Sequence, residues 1–100
     1  MRNILIIGAG RSATSLIKYL LDKSESEDLF ITIGDLTEES AQKFTVGHPN
    51  AKGIKLDVFD AKQRSESIES ADLVISMLPA RFHIEVAKDC ILYKKHLVTA

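Results

Sequence analysis

The sequence predicts an α/β fold, a Rossmann-type doubly wound sheet of five parallel strands in the order 3-2-1-4-5. Two observations predict it. Short runs of β-branched apolar residues alternate with segments of helical period. The first such run ends in the glycine turn Gly8-Ala9-Gly10, which opens directly into the first helical segment. Strands joined through helices require right-handed crossovers and therefore parallel neighbours. The composition agrees: 100 residues, 45% hydrophobic and 27% charged, suit one globular domain spanning 1–100.

The first strand covers residues 3–7, an apolar run of the kind buried on both faces of a parallel sheet. Over residues 12–23 the period changes. Ala13, Leu16, Ile17, Leu20 and Leu21 recur at helical spacing, while Ser15, Lys18 and Asp22 fall on the opposite face. A polar loop, 24–28, leads to the second strand at 29–33. Thr37 then caps a helix running to about Val46, with Glu38 and Glu39 suited to its positive end. Gly47-His48-Pro49-Asn50 breaks that helix, and residues 53–58 form the third strand. Asp60 caps a weaker helix in which Gln63 completes a capping box and Ala61, Ile68 and Ala71 point inward. The fourth strand is 72–78, stopped by Pro79. A last helix over 81–93 carries the apolar stripe Phe82, Val86, Cys90 and Ile91, and 96–100 closes the sheet as the fifth strand.

That order places a ligand crevice at the carboxyl ends of strands one and four, where the winding direction reverses. Gly8, Asp35 and Pro79 all fall at such ends. In Gly8-x-Gly10-x-x-Ala13 each small residue has a task. Gly8 permits the tight exit from the strand, Gly10 lets the backbone approach a pyrophosphate, and Ala13 lets the helix pack on the sheet. The unpaired amides of the helix N-terminus, from Ala9 through Ser12, suit a diphosphate. The pattern therefore points to a dinucleotide cofactor.

Asp35 stands 25 residues beyond Gly10, at the end of the second strand. A carboxylate there accepts both hydroxyls of the adenosine ribose and repels a 2′-phosphate, so NAD is the expected cofactor. Leu36 and Thr37 follow it, where many NADP binders place an arginine. Arg11 keeps NADP open, because its guanidinium suits either a pyrophosphate or a 2′-phosphate; it is equally at home as a solvated residue of the first helical turn. Asp57 and Val58, at the end of the third strand, are expected beside the adenine, and Ser76, Met77, Leu78 and Pro79 beside the nicotinamide ribose. His83 is the single candidate for a proton donor. A partly exposed helix-start histidine with no identifiable orienting carboxylate is the stronger reading of it.

Several classes are disfavoured. A net charge of −1 with scattered basic residues gives no nucleic-acid footprint. No apolar run approaches a membrane span or a secretory signal, and one cysteine cannot close an internal disulfide, so a soluble cytoplasmic protein is expected. Cys90 lies on an apolar helix face as core packing, and with His48 and His96 placed in a loop and at a strand start, no metal set emerges. A short-chain reductase would carry a catalytic Tyr-x-x-x-Lys; Tyr19 and Lys23 have that spacing but fall within the first helical segment after the glycine turn, and Tyr93 has leucine four residues on.

Five segments together resemble one family: Gly8-Ala9-Gly10-Arg11-Ser12, Leu56-Asp57-Val58-Phe59-Asp60, the phrase Asp72-Leu73-Val74-Ile75-Ser76-Met77-Leu78-Pro79, the pair Phe82-His83, and Lys94-Lys95-His96-Leu97-Val98-Thr99-Ala100. The chain is similar to the N-terminal domain of saccharopine dehydrogenases, in particular the glutamate-forming branch called saccharopine reductases. The resemblance implies an oxidoreductase of lysine metabolism that moves hydride between a nicotinamide cofactor and the secondary amine of saccharopine, through an imine. Carboxynorspermidine and homospermidine synthases share the scaffold. The resemblance also implies that the amino-acid substrate is held by an inserted domain absent here, so that the chain is a fragment, inactive alone. Glutamate-forming reductases often use NADP, a habit from which Asp35 departs. A non-catalytic NAD sensor is the alternative, and a homodimer is the remaining partnership this reading allows.

Overall fold

Alternation along the central strand decides the layering. The computed structural model describes residues 1–8, 13–78 and 82–99. β1 (Arg2–Ile7) pairs in parallel with β2 (Leu29–Asp35) on one side and β4 (Leu73–Ser76) on the other. β3 (Ala51–Lys55) and β5 (His96–Thr99) form the two edges, giving the order β3-β2-β1-β4-β5. Successive strand side chains point to opposite faces. Ile4 and Ile6 therefore enter one apolar layer, with Ile31, Ile33 and Ile75. Leu5 and Ile7 enter the other, with Leu56 and Val74.

The helices divide the same way. Ile17 and Leu21 of α1 (Thr14–Lys23) and Ala41 of α2 (Glu38–Gln42) cover the first layer. Ile68 of α3 (Ala61–Glu69) and Val86 and Cys90 of α4 (His83–Leu92) cover the second. Changing faces at β1 is what doubly wound means, and the structure has the expected strand order. Ala13 is buried beside Ile17, so its small size does serve helix-to-sheet packing. Gly53 is needed where α2 crosses β3: a Cβ there would lie 2.5 Å from the Ala41 carbonyl carbon.

The caps follow the sequence, with one variation. Thr37 Oγ1 accepts the Ser40 N–H at 3.1 Å, and Asp60 Oδ1 accepts that of Gln63 at 3.2 Å. Gln63 does not return the bond to Asp60. Its Oε1 accepts the Asp57 N–H at 2.9 Å, so the cap reaches into the loop behind the helix. At the far end of α4, Lys94 adopts φ 57°. Its N–H bonds the Ile91 carbonyl at 3.2 Å while that of Lys95 bonds Cys90 at 2.7 Å, a Schellman closure built on a residue other than glycine.

Several expected boundaries move. The third strand is Ala51–Lys55, not 53–58, and Asp57 and Val58 lie in the loop after it. Leu56 and Val58 are apolar because they plug the second layer from that loop. α2 stops at Gln42 rather than Val46, because Thr45 takes the Gln42 carbonyl with both its N–H (3.0 Å) and its hydroxyl (2.9 Å). The fourth strand is shorter than 72–78, its ladder closing at Ser76. On α3, Ile68 is buried as expected but Ala61 is exposed, and the inward place belongs to Arg64. On α4, Ile91 is 79% exposed, and Asp89 takes the buried place beside Cys90.

Candidate functional site

The hydrogen-bond ladders bring the carboxyl ends of four strands into line. Gly8 N–H bonds the Gly34 carbonyl at 2.8 Å, Met77 N–H bonds Ile7 at 2.9 Å, and Leu56 N–H bonds Asp35 at 2.7 Å. The chain leaves β1 at Gly8 with φ +98°, a conformation that glycine adopts without strain, so the tight exit expected there is present. Ala9, Gly10, Arg11, Ser12 and Pro79 lie outside the described residues.

Beside that line opens a cleft of about 120 Å³. It gathers Gly8, Asp35, Leu36, Asp57, Val58 and Leu78 of the expected residues, and adds Ile7, Gly34, Leu56, Phe59 and Phe82. Its walls are apolar apart from two carboxylates, a suitable slot for a flat heteroaromatic ring with a polar ribose at its mouth. Phe59, 67% exposed, meets the edge of Phe82 with ring centres 5.2 Å apart and planes at 84°.

Asp35 is held at both oxygens. Oδ1 accepts the Leu36 N–H at 2.9 Å and Oδ2 accepts the Ser40 hydroxyl at 2.9 Å, which is itself 2.8 Å from Thr37 Oγ1. Each oxygen keeps a second lone pair for a ligand hydroxyl. Glu38 and Glu39 stand in the first turn of α2 beyond it. In the loop after β3, Asp57 Oδ1 accepts the Phe59 N–H at 2.9 Å.

The fourth-strand residues separate. Leu78 lines the cleft and packs on the second layer, whereas Met77 packs on the first. Ser76 is fully buried, and its hydroxyl has no hydrogen-bond partner among the described residues. His83 Nε2 lies 2.6 Å from the Leu78 carbonyl. A carbonyl only accepts, so the ring carries its proton on Nε2 and pins the start of α4 to the end of the fourth strand. Among the described residues no carboxylate hydrogen-bonds this ring.

One charged group within the second layer escaped the sequence reading. Arg64 and Asp89 are 7% and 8% exposed, with Arg64 Nε donating to Asp89 Oδ2 at 2.7 Å. Arg64 lies four residues before Ile68, so helical spacing alone would have placed it inward. Burial, and next the adjacent Asp89 carboxylate, push the Cys90 thiol above its ordinary value, in keeping with a packing role. Among the described residues no cluster of metal-binding side chains occurs, and no helix is long and apolar enough to cross a membrane.

Residues 4–100 match the family model of the saccharopine dehydrogenase NADP-binding domain. The chain is 35% identical to the saccharopine dehydrogenase [NADP(+), L-glutamate-forming] of Schizosaccharomyces pombe, over 99% of its own length and 21% of that protein. It is 32% identical to the alpha-aminoadipic semialdehyde synthase of Arabidopsis thaliana, over 97% of its length and 11% of that protein. The structure of apo saccharopine dehydrogenase (L-Glu forming) from Saccharomyces cerevisiae superimposes with a TM-score of 0.88 at 31% identity, covering 99% of this chain and 21% of that one. The chain thus spans a tenth to a fifth of the length of these relatives. It carries the dinucleotide-binding fold that they share, and it belongs to the saccharopine dehydrogenase NADP-binding domain family.

Proposed function

We propose that this chain is the cofactor-binding part of an oxidoreductase that acts on the secondary amine of saccharopine or a close analogue, and that it prefers NAD to NADP. The family and the relatives' names support the first half. The bound dinucleotide would supply the hydride. Within this chain, the Gly8 turn receives the pyrophosphate and the apolar cleft takes the adenine, with Asp57 at its edge. Asp35 accepts the ribose hydroxyls, and His83 ties Leu78 to the start of α4 near the nicotinamide end. The amino-acid substrate is left to a further domain of the intact protein, which we take to be cytoplasmic.

One observation carries the preference for NAD. The Asp35 carboxylate is locked in place by Leu36 and Ser40, so a 2′-phosphate would meet its charge, with Glu38 and Glu39 adding to the negative potential from the following helical turn. A second reading, NADP, is favoured by Lys55, which pairs in register with Asp35 and shares a groove with Thr37. The relatives named for NADP(+) favour it too.

Equilibrium titration of the intact protein with each cofactor decides between them. Tighter binding of NAD, with Asp35→Ser weakening it by about tenfold, roughly 1.4 kcal/mol, is the expected result. Tighter binding of NADP would transfer the proposal to the Lys55 reading. Binding of neither would end the dinucleotide assignment.

A further inference from the structure

We infer that the buried Arg64–Asp89 pair is the positioning device for the adenine-side wall of the cleft, acting through the backbone of Val58. Arg64 Nη1 donates to the Val58 carbonyl, in the loop between β3 and α3, where no strand ladder supplies a partner. Its Nε is fixed by Asp89 at 2.7 Å, with Ser65 Oγ on the same carboxylate oxygen at 3.2 Å, and its Nη2 stands 3.8 Å from Glu85. Gln63 holds the preceding Asp57 N–H. The loop is thus anchored from behind by consecutive residues of α3, while Phe59 projects from its front into the cleft.

The opposite wall answers to the same guanidinium. Phe82, which meets Phe59 edge-on, leads into α4, and α4 supplies both Glu85 and Asp89. A buried ion pair is a poor route to stability, since well-packed apolar residues of similar volume often do as well or better. What apolar residues cannot do is bond the Val58 carbonyl. The fork of an arginine bonds that carbonyl and the Asp89 carboxylate at once, with its third nitrogen 3.8 Å from Glu85; the single ammonium of a lysine cannot match this geometry.

The inference rests on the dinucleotide reading of the cleft, and the test separates the two. In the intact protein, the double variant Arg64→Met/Asp89→Leu keeps apolar packing and removes the anchor. Its Tm should equal or exceed that of the wild type, while its affinity for ADP-ribose, which lacks the nicotinamide, should fall by about tenfold. Amide exchange at residues 57–59, measured without ligand, should accelerate. Arg64→Lys, which retains the charge and folds if the double variant does not, should show the same faster exchange and weaker binding. Unchanged exchange at residues 57–59 in folded variants would overturn the inference, and so would wild-type affinity for ADP-ribose. If exchange accelerates while the wild type itself ignores both ADP-ribose and its 2′-phosphate, the loop anchor stands and the dinucleotide reading fails.

Discussion

The two layers that sandwich the sheet are built on different principles. Under α1 and α2 the buried side chains among the described residues are uncharged, with Ser24 at the end of α1 the polar member: Ile4, Ile6, Ile17, Leu21, Ile31 and Ile33 interlock without a charged side chain. Under α3 and α4 a comparable set, Leu5, Ile7, Ile68, Val74 and Val86, shares its space with Arg64 and Asp89. The first layer carries the sheet. The second also connects helices to the loops that shape the cleft, and it uses directional bonds because dispersion contacts fix volume better than they fix orientation. Where a layer must aim a loop, charge is kept inside it.

That contrast can be broken at either layer. Asp89→Leu alone leaves the Arg64 guanidinium buried beside only a distant Glu85, and should cost about 3–5 kcal/mol in urea unfolding. A cost below about 1 kcal/mol would mean that solvent reaches the pair and that the layers do not differ. Ile17→Ala, fully buried in the apolar layer, should cost about 2–5 kcal/mol by opening a cavity. The folded fraction should bind cofactor normally, so a loss of affinity beyond the unfolded fraction would show that this layer shapes the cleft too. The smallest effect concerns the exit from the charged layer. Lys94 holds a left-handed conformation for the Schellman closure of α4, and Lys94→Gly should stabilise by roughly 1 kcal/mol, visible as a raised Tm.

The apolar layer was the more legible in the sequence, for the same reason that it is simple. Period alone places Ile17 and Leu21 on one stripe and centres β1, β2 and β4, and strand–helix alternation gives the strand order. The Gly8 exit was legible because it answers a backbone requirement at a strand end, and the position of Asp35 because it closes the second apolar run. The charged layer was not. Hydrophobic spacing passes over Arg64 and Asp89, and it assigned Ile91 to the core although that residue faces outward. Leu56 and Val58 look like strand residues because period records burial, and a loop that plugs a core is buried as deeply as a strand. Phe59 carried no periodic pattern and Phe82 read as part of the stripe of the last helix; only the folded chain brings their rings 5.2 Å apart.

Cys90 is the chain's single cysteine, buried and with its thiol shifted away from the reactive thiolate form. Within this domain the native thiol should therefore react slowly with maleimides at neutral pH. A thiol introduced at the cleft by Phe59→Cys would be the one a dye could reach, giving the loop held by Arg64 an optical reporter.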